Sequence, residues 1–241
     1  MRVSLIGKSC YSENNFGQDH VIFTALSQCY NEHFDLEDLK KVPSDKINNI
    51  IKSVLNSGHD SVSEHVSFTF LVEDVSRVLT HQLVRHRIAS YSQRSARYTK
   101  INTGEDWYVI PKSIRTTEQL EVFDTIMEQE AEAYNKLIEL GVPKEDARFV
   151  VGDGQSSNIV VTMNCRALKN FFGERLCTRA QWEIRELANK MATICKKELP
   201  IVFDTCKFAE PACVQKGFCT EHKSCGKMPH ISKVKDLLKW Q

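Results

Sequence analysis

Hydrophobic and polar residues alternate in parts of the chain, and this pattern predicts its strands. The clearest case is segment 66–72, where Ser67 and Thr69 face one way and the opposite face carries Val66, Phe68, Phe70 and Val72. Segment 158–163 is predicted as a second strand, and segment 2–6 as a short strand at a sheet edge. The chain is therefore expected to build a small sheet.

Hydrophobic residues three or four positions apart predict helices. One helix is expected from Ser44 to Gly58, with a stripe formed by Ile47, Ile50, Ile51, Val54 and Leu55. Another begins at Ser76, and its expected stripe comprises Val75, Val78, Leu79 and Leu83. The basic triplet 85–87 follows at the C-terminal end of this helix, where the helix dipole favours cations.

Capping residues predict two longer helices. Thr116 with Gln119 forms a capping box for a helix that ends at Gly141. Thr178 with Gln181 is predicted to cap a final amphipathic helix that ends before residue 200. Between them, segment 166–175 carries polar side chains on one helical face and apolar ones on the other: Arg166 and Asn170 against Leu168, Phe171 and Phe172.

Length and composition point to one globular domain. The chain has 241 residues, 41% of them hydrophobic, which is enough to bury a sizeable core. Because we find no internal repeat and no long linker, we predict a single domain over 1–241, with a Cys-rich tail over about 205–241. Long helices with a few separated strands favour an α+β fold, with a central, mostly antiparallel sheet flanked by helices.

Charge and cysteine content limit the classes of partner and the cellular compartment that the sequence favours. The 32 basic and 31 acidic residues give a formal net charge of +1, which argues against non-specific nucleic-acid binding. Nine cysteines, an odd number, fit reduced thiols better than a disulfide framework. No apolar run approaches the length of a membrane span, and the N-terminus lacks a signal-peptide pattern. We therefore expect a cytoplasmic protein with no membrane partner.

The segment 81–97, HQLVRHRIASYSQRSAR, is a concentrated cationic stretch. It contains four arginines, and no Asp or Glu occurs between Asp74 and Glu105. Since the repulsion between these guanidinium groups must be offset, a distant carboxylate or an anionic ligand is expected to face them. Arginine suits phosphate because its planar donors bind two oxygens at once.

Two other interpretations remain open at this point. Tyr91 and Tyr98 lie among the arginines, so the segment is also compatible with a single-stranded nucleic-acid-binding module. The tail residues Cys206, Cys213, Cys219, His222 and Cys225 suggest zinc, but structural zinc sites favour pairs of ligands two to four residues apart. We therefore predict no metal site.

The cationic segment also carries a family resemblance. It resembles the signature RHRxxSxNxxSxRY of the flavin-dependent thymidylate synthases. The matching residues are Arg85-His86-Arg87, Ser90, Ser95 and Arg97-Tyr98. The similarity covers about 25–200 and includes His59, Glu64, His65, Asp146-Ala147-Arg148, Asn164 to Phe171, Arg175, and Ala180 to Ile184. Here Ser92 and Gln93 stand where the commonest family pattern has Asn and Glu.

The resemblance implies an enzyme that converts dUMP to dTMP. The one-carbon donor would be 5,10-methylenetetrahydrofolate, and FAD reduced by NADPH would deliver hydride. A homotetramer with active sites shared between subunits is implied as well, with no nucleic acid among its partners.

The resemblance also assigns site residues. Arg175 matches the active-site arginine that stabilises the ionised uracil. The implied dUMP contacts are Gln82, Leu83, Val84, Arg85, Gln93, Arg94, Ser95, Ala96, Arg97, Arg148 and Arg175. The implied FAD contacts are Ser61, Arg85, His86, Arg87, Gln93, Asn164, Cys165, Arg166 and Asn170.

Overall fold

A computed structural model describes residues 1–12 and 16–238. Within them, four strands pair into one antiparallel sheet with the order β1-β2-β4-β3. The strands are β1 (Arg2–Lys8), β2 (Ser67–Ser76), β3 (Ser90–Gln93) and β4 (Ser156–Asn164). The predicted mixture of helices with an antiparallel sheet is thus confirmed, and β1 lies at the sheet edge as expected.

Helices make up most of the remaining regular structure. The α-helices are α1 (Gln18–Tyr30), α2 (Leu36–Lys40), α3 (Ser44–Asn56), α4 (Arg77–Leu83), α5 (Thr117–Glu139), α6 (Lys144–Ala147), α7 (Cys165–Arg175), α8 (Trp182–Glu198), α9 (Ala212–Lys216) and α10 (Ile231–Leu238). Short 3₁₀ helices occur at Asp60–His65 and Arg148–Val150, and a π-helical turn occurs at Ile201–Thr205. No helix of the described residues is long and apolar enough to cross a membrane.

Strand β2 and the helix after it depart in detail from the sequence prediction. The strand runs on to Ser76, past Asp74, whose φ of 56° marks a local irregularity. Helix α4 then begins as expected, because the Ser76 hydroxyl accepts a hydrogen bond from the Leu79 N–H. The predicted burial of Val78 is wrong: it is exposed, since this short helix turns Leu79 and Leu83 towards the core.

The start of α8 also differs from the prediction. The cap is Gln181 rather than Thr178, and its Oε1 accepts hydrogen bonds from the N–H groups of Glu183 and Ile184 at 2.9 and 3.2 Å. Thr178 lies in the preceding turn, where the Ala180 N–H bonds to the Cys177 carbonyl. Nor is α8 the final helix, because α9 and α10 follow it.

Helix α1 was not predicted, and its buried face explains why. Gln18, His20 and Ser27 are buried together with Ile22 and Phe23. Since polar residues interrupt the apolar stripe, the helical period is weak in the sequence. Helices α3 and α5, whose stripes are apolar, match the predicted spans closely.

The chain divides into two compact units, Met1–Ser4 with Leu71–Val161 and Leu5–Phe70 with Thr162–Gln241. In the first unit, α5 packs Met127, Ala131 and Tyr134 against the segment that carries Trp107. The Tyr134 hydroxyl accepts a hydrogen bond from the Ile101 N–H at 3.0 Å, which satisfies both groups inside the core.

Aromatic residues dominate the core of the second unit. Phe203, which is fully buried, lies 5.6 Å from Phe68, 6.1 Å from Phe172 and 6.4 Å from Phe208 between ring centroids. All three pairs meet edge to face, the arrangement that aromatic quadrupoles favour. These contacts tie β2 and α7 to the chain that follows α8. The single domain over 1–241 stays a prediction.

Candidate functional site

The turn after α4 presents the basic triplet to solvent. The Tyr91 hydroxyl lies 2.8 Å from the Leu83 carbonyl oxygen and 2.7 Å from that of His86. Burial raises the pKa of Tyr91 to about 12, so this hydroxyl keeps its proton and can donate to either carbonyl. Tyr91 thereby holds the turn while Arg85 and Arg87 remain exposed.

Only part of the cationic segment finds carboxylate partners. Arg97 pairs with Glu145 through its Nε atom and stacks its guanidinium 5.3 Å from the Tyr98 ring centroid. Among the residues that the structure describes, no carboxylate forms an ion pair with Arg85, Arg87 or Arg94. The positive charge of these three residues is therefore available to an anion from outside the unit.

The chain from Gln93 to Thr99 is organised by its own side chains. The Gln93 amide donates to the hydroxyls of Thr80 at 3.1 Å and Ser157 at 3.3 Å. The Ser95 hydroxyl accepts hydrogen bonds from the N–H groups of Arg97 and Tyr98. This fixes the backbone of the predicted dUMP stretch, with Ala96 buried beneath it.

Arg148 is the remaining predicted site residue of the first unit. Its Nε donates to the Glu145 carbonyl at 3.0 Å, so one acidic residue touches both Arg148 and Arg97. Arg148 also lies near Arg77. The pKa of Arg77 is lowered mainly by burial and then by the positive charge of Arg148, whereas the negative charge of Asp153 raises it. Arg77 donates from Nε to the Gln155 amide oxygen at 3.2 Å.

A cavity of about 190 Å³ adjoins this cluster and contains residues that the sequence analysis missed. Arg94 and Ala96 were predicted; the additional charged and aromatic lining residues are Asp74, Arg77, Lys100, Glu105, Asp106 and Trp107. They are spread over more than thirty positions without a regular spacing. No sequence signal pointed to them, because only the fold brings them together.

In the second unit, two ion pairs connect the 3₁₀ helix Asp60–His65 to α7. Arg166 pairs with Glu64, and Lys169 pairs with Asp60 at 2.7 Å. The predicted FAD contacts Ser61, Arg166 and Asn170 thus lie on these two neighbouring segments, and all three are exposed. The division of α7 into a polar and an apolar face is confirmed.

Asn164 and Cys165 have structural roles at the start of α7. The Asn164 side chain accepts a hydrogen bond from the Ala167 N–H at 2.8 Å, which caps the helix. The Cys165 N–H donates to the Val66 carbonyl at 2.9 Å, and its sulfur is fully buried. Burial raises the pKa of Cys165, so this thiol stays protonated at neutral pH.

Arg175 ends α7 and is partly buried. Its side chain is 21% exposed, and its guanidinium lies 3.9 Å from the Glu174 carboxylate. A partly desolvated guanidinium exerts a stronger field than an exposed one, because less water screens it. Arg175 thus has the environment expected of a residue that stabilises a developing anion.

The predicted site residues fall into two groups. Those of the first unit are Gln82, Leu83, Val84, Arg85, His86, Arg87, Gln93, Arg94, Ser95, Ala96, Arg97 and Arg148. Those of the second unit are Ser61, Asn164, Cys165, Arg166, Asn170 and Arg175. Leu83 and Ala96 are buried, so only their backbone atoms are suited to reach a ligand.

Comparisons with known proteins agree with each other. Residues 13–201 match the family Thy1, described as thymidylate synthase complementing protein. A flavin-dependent thymidylate synthase from Clostridium tetani is 42% identical over 234 residues, which cover 90% of this chain and 92% of that protein. A flavin-dependent thymidylate synthase from Pyrococcus abyssi is 45% identical over 202 residues, which cover 80% of this chain and 81% of that protein.

A solved structure shares the fold. It is the UMP/dUMP methylase PolB from Streptomyces cacaoi bound with 5-Br dUMP, with a TM-score of 0.71 and 23% sequence identity. The match covers 86% of this chain and 94% of that chain. None of these similarities supports the alternative of a single-stranded nucleic-acid-binding module.

Proposed function

Because this chain belongs to the Thy1 family of flavin-dependent thymidylate synthases, we propose that it catalyses the reductive methylation of dUMP to dTMP. The one-carbon donor is 5,10-methylenetetrahydrofolate, and FAD, reduced by NADPH, supplies the hydride. The observation that carries the proposal is the cationic segment 81–97, in which Arg85, Arg87 and Arg94 have no carboxylate partner among the described residues.

We assign dUMP to the stretches 82–85 and 93–97 together with Arg148 and Arg175. A nucleotide phosphate suits the exposed guanidinium of Arg97 and the ordered backbone turn that Ser95 holds. The phosphate would compete with the Glu145 carboxylate for Arg97, so that one anionic partner of Arg97 replaces another.

Arg175 is assigned the role of holding the uracil as an anion. Carbon C5 of uracil becomes nucleophilic when the negative charge that develops on N3 and the C4 oxygen is stabilised. The partly buried guanidinium of Arg175 provides a fixed positive charge for this purpose. No protein thiolate is then needed, in keeping with the raised pKa of Cys165.

The residues present fit a flavin dinucleotide. Arg85 and Arg87 expose guanidinium groups that have no carboxylate partner among the described residues, and such groups suit a pyrophosphate. Helix α7 presents a polar face with Arg166 and Asn170. We assign FAD to Ser61, Arg85, His86, Arg87, Gln93, Asn164, Cys165, Arg166 and Asn170. The buried sulfur of Cys165 restricts that residue to a backbone contact or an indirect role.

The direct experiment is product analysis with the FAD-loaded protein. With dUMP, 5,10-methylenetetrahydrofolate and NADPH, chromatography should detect dTMP, and omission of any one of the three should abolish it. FAD-loaded, folded protein that forms no dTMP would overturn the proposed reaction.

We further propose that the enzyme is a cytoplasmic homotetramer whose active sites are shared between chains. Sedimentation analysis should give the mass of four chains, and a monomer would contradict the assembly. Co-expression of Arg97→Ala and Arg175→Ala chains should restore part of the activity that each variant lacks alone. Hybrids with no recovered turnover would place both arginines in one chain's site.

A further inference from the structure

Four of the nine cysteines line a single cavity in the second unit. This cavity, of about 220 Å³, has Cys177, Cys213, Cys219 and Cys225 among its lining residues, and we name it the thiol cavity. Its charged lining residues are Glu174, Arg179, Glu221 and Lys223. Nothing in the proposed thymidylate synthesis uses these thiols.

The thiols converge from separate parts of the chain. Cys177 follows the C-terminal end of α7, Cys213 lies on α9, and Cys219 and Cys225 lie in the irregular segment between α9 and α10. Three of the four come after residue 201, where the match to the family ends. The cavity joins this tail to the segment that carries Arg175.

The surroundings of Cys225 suit a thiolate. The Lys227 N–H and the Thr178 hydroxyl lie beside the Cys225 sulfur. Gly226, between Cys225 and Lys227, has a φ of 83°, a conformation that glycine adopts without strain. Such donors stabilise a sulfur ligand in its deprotonated form.

The thiols surround the cavity without yet meeting at one point. Among the described residues, no group of three or more Cys, His, Asp or Glu side chains is arranged to hold a metal ion. Cys177, Cys219 and Cys225 are outside helices, where a cysteine side chain has its staggered rotamers open to it, and the site proposed below requires such a change of rotamer.

We propose that the thiol cavity binds one Zn²⁺ through Cys177, Cys213, Cys219 and Cys225. Four thiolates are a complete tetrahedral ligand set for a structural zinc ion. On binding, each thiol releases its proton to solvent and forms one Zn–S bond, which leaves a net charge of −2. The cavity wall adds no net charge, because Arg179 and Lys223 are balanced by Glu174 and Glu221.

Cysteine spacing in the tail alone disfavours zinc, because one of the four proposed ligands lies outside the tail. The tail supplies three ligands separated by five residues, a poor pattern by itself, and Cys177 completes the set from more than thirty residues upstream. Cys206 and His222, which the sequence analysis grouped with the tail thiols, do not line the cavity.

The first test is the metal content of the untagged full-length protein, purified with a non-chelating reductant. Mass spectrometry of the metal should find one zinc per chain. Cys219→Ser and Cys225→Ser should each retain less than a tenth of it, whereas Cys10→Ser, at an exposed thiol outside the cavity, should retain it all. Wild-type protein that stays free of zinc after incubation with excess Zn²⁺ and desalting would overturn the proposal.

A second test does not depend on variants that fold. Titration of the wild-type thiols with an organomercurial should release one zinc as four thiols react, and exchange with Co²⁺ should give the visible bands of tetrahedral thiolate coordination. Zinc release that does not track thiol modification would contradict the site. So would intact masses, after alkylation without reduction, that show these cysteines joined as disulfides.

Discussion

Two arginines near the end of α7, Arg175 and Arg179, differ in how far their side chains are exposed to solvent. Arg175 is 21% exposed at the end of α7, whereas Arg179, four residues later, is exposed. Arg175→Ala should lower the rate of dTMP formation by about 100-fold or more, because it removes the positive charge that is proposed to stabilise the uracil anion.

Arg179→Ala is the matched control and should keep its turnover. Thermal unfolding should show that both variants remain folded, with midpoints within a few degrees of the parent protein. An Arg175→Ala enzyme with unchanged turnover would refute the assigned role.

Gln93 shows a second effect at the scale of the residue. Its amide donates to the hydroxyls of Thr80 and Ser157, both of which are buried. Gln93→Leu should lower the free energy of unfolding by about 1–3 kcal/mol, because two buried hydroxyls lose their donor. Denaturant titration measures this loss.

The control for this variant is Ser92→Ala, an exposed neighbour on the same strand. It should change the free energy of unfolding by less than about 0.5 kcal/mol. Equal stability of the Gln93→Leu and parent proteins would show that the hydrogen bonds at Gln93 do not hold β3.

Helix α7 depends on the cap that Asn164 provides, since the Ala167 N–H has the Asn164 side chain as its partner. Asn164→Ala should lower the free energy of unfolding of FAD-free protein by about 1 kcal/mol. Asn164→Asp keeps an acceptor at the helix N-terminus and should preserve stability, as urea unfolding can test. Equal losses in both variants would mean that capping is not the role of Asn164.

At the scale of elements, side-chain caps and apolar stripes predict the helices closely. The capping box of Thr116 and Gln119 and the apolar stripe of α3 predicted helices close to those observed. The prediction failed where polar residues are buried, as in α1, and where two polar residues competed as the cap, as Thr178 and Gln181 did before α8. Tertiary contacts settle such cases, and a single sequence does not contain them explicitly.

At the scale of the whole molecule, the residues assigned to one reaction lie in two compact units. The cationic segment around Arg85 to Tyr98 could be recognised from the sequence because its residues are close together along the chain. The partners Glu145 for Arg97 and Glu64 for Arg166 are far away along the chain, and the sequence analysis did not predict either pair. Likewise, only the fold joins Cys177 to the tail thiols.

In the proposed reaction, these residues together activate C5 of dUMP for reductive methylation. The most direct measurement uses dUMP labelled with tritium at C5 and the FAD-loaded enzyme, with 5,10-methylenetetrahydrofolate and NADPH present. We predict that tritium appears in water in an amount equal to the dTMP formed, and that Arg175→Ala suppresses both. Folded, FAD-loaded enzyme that releases no tritium and forms no dTMP would contradict the proposed activation of C5.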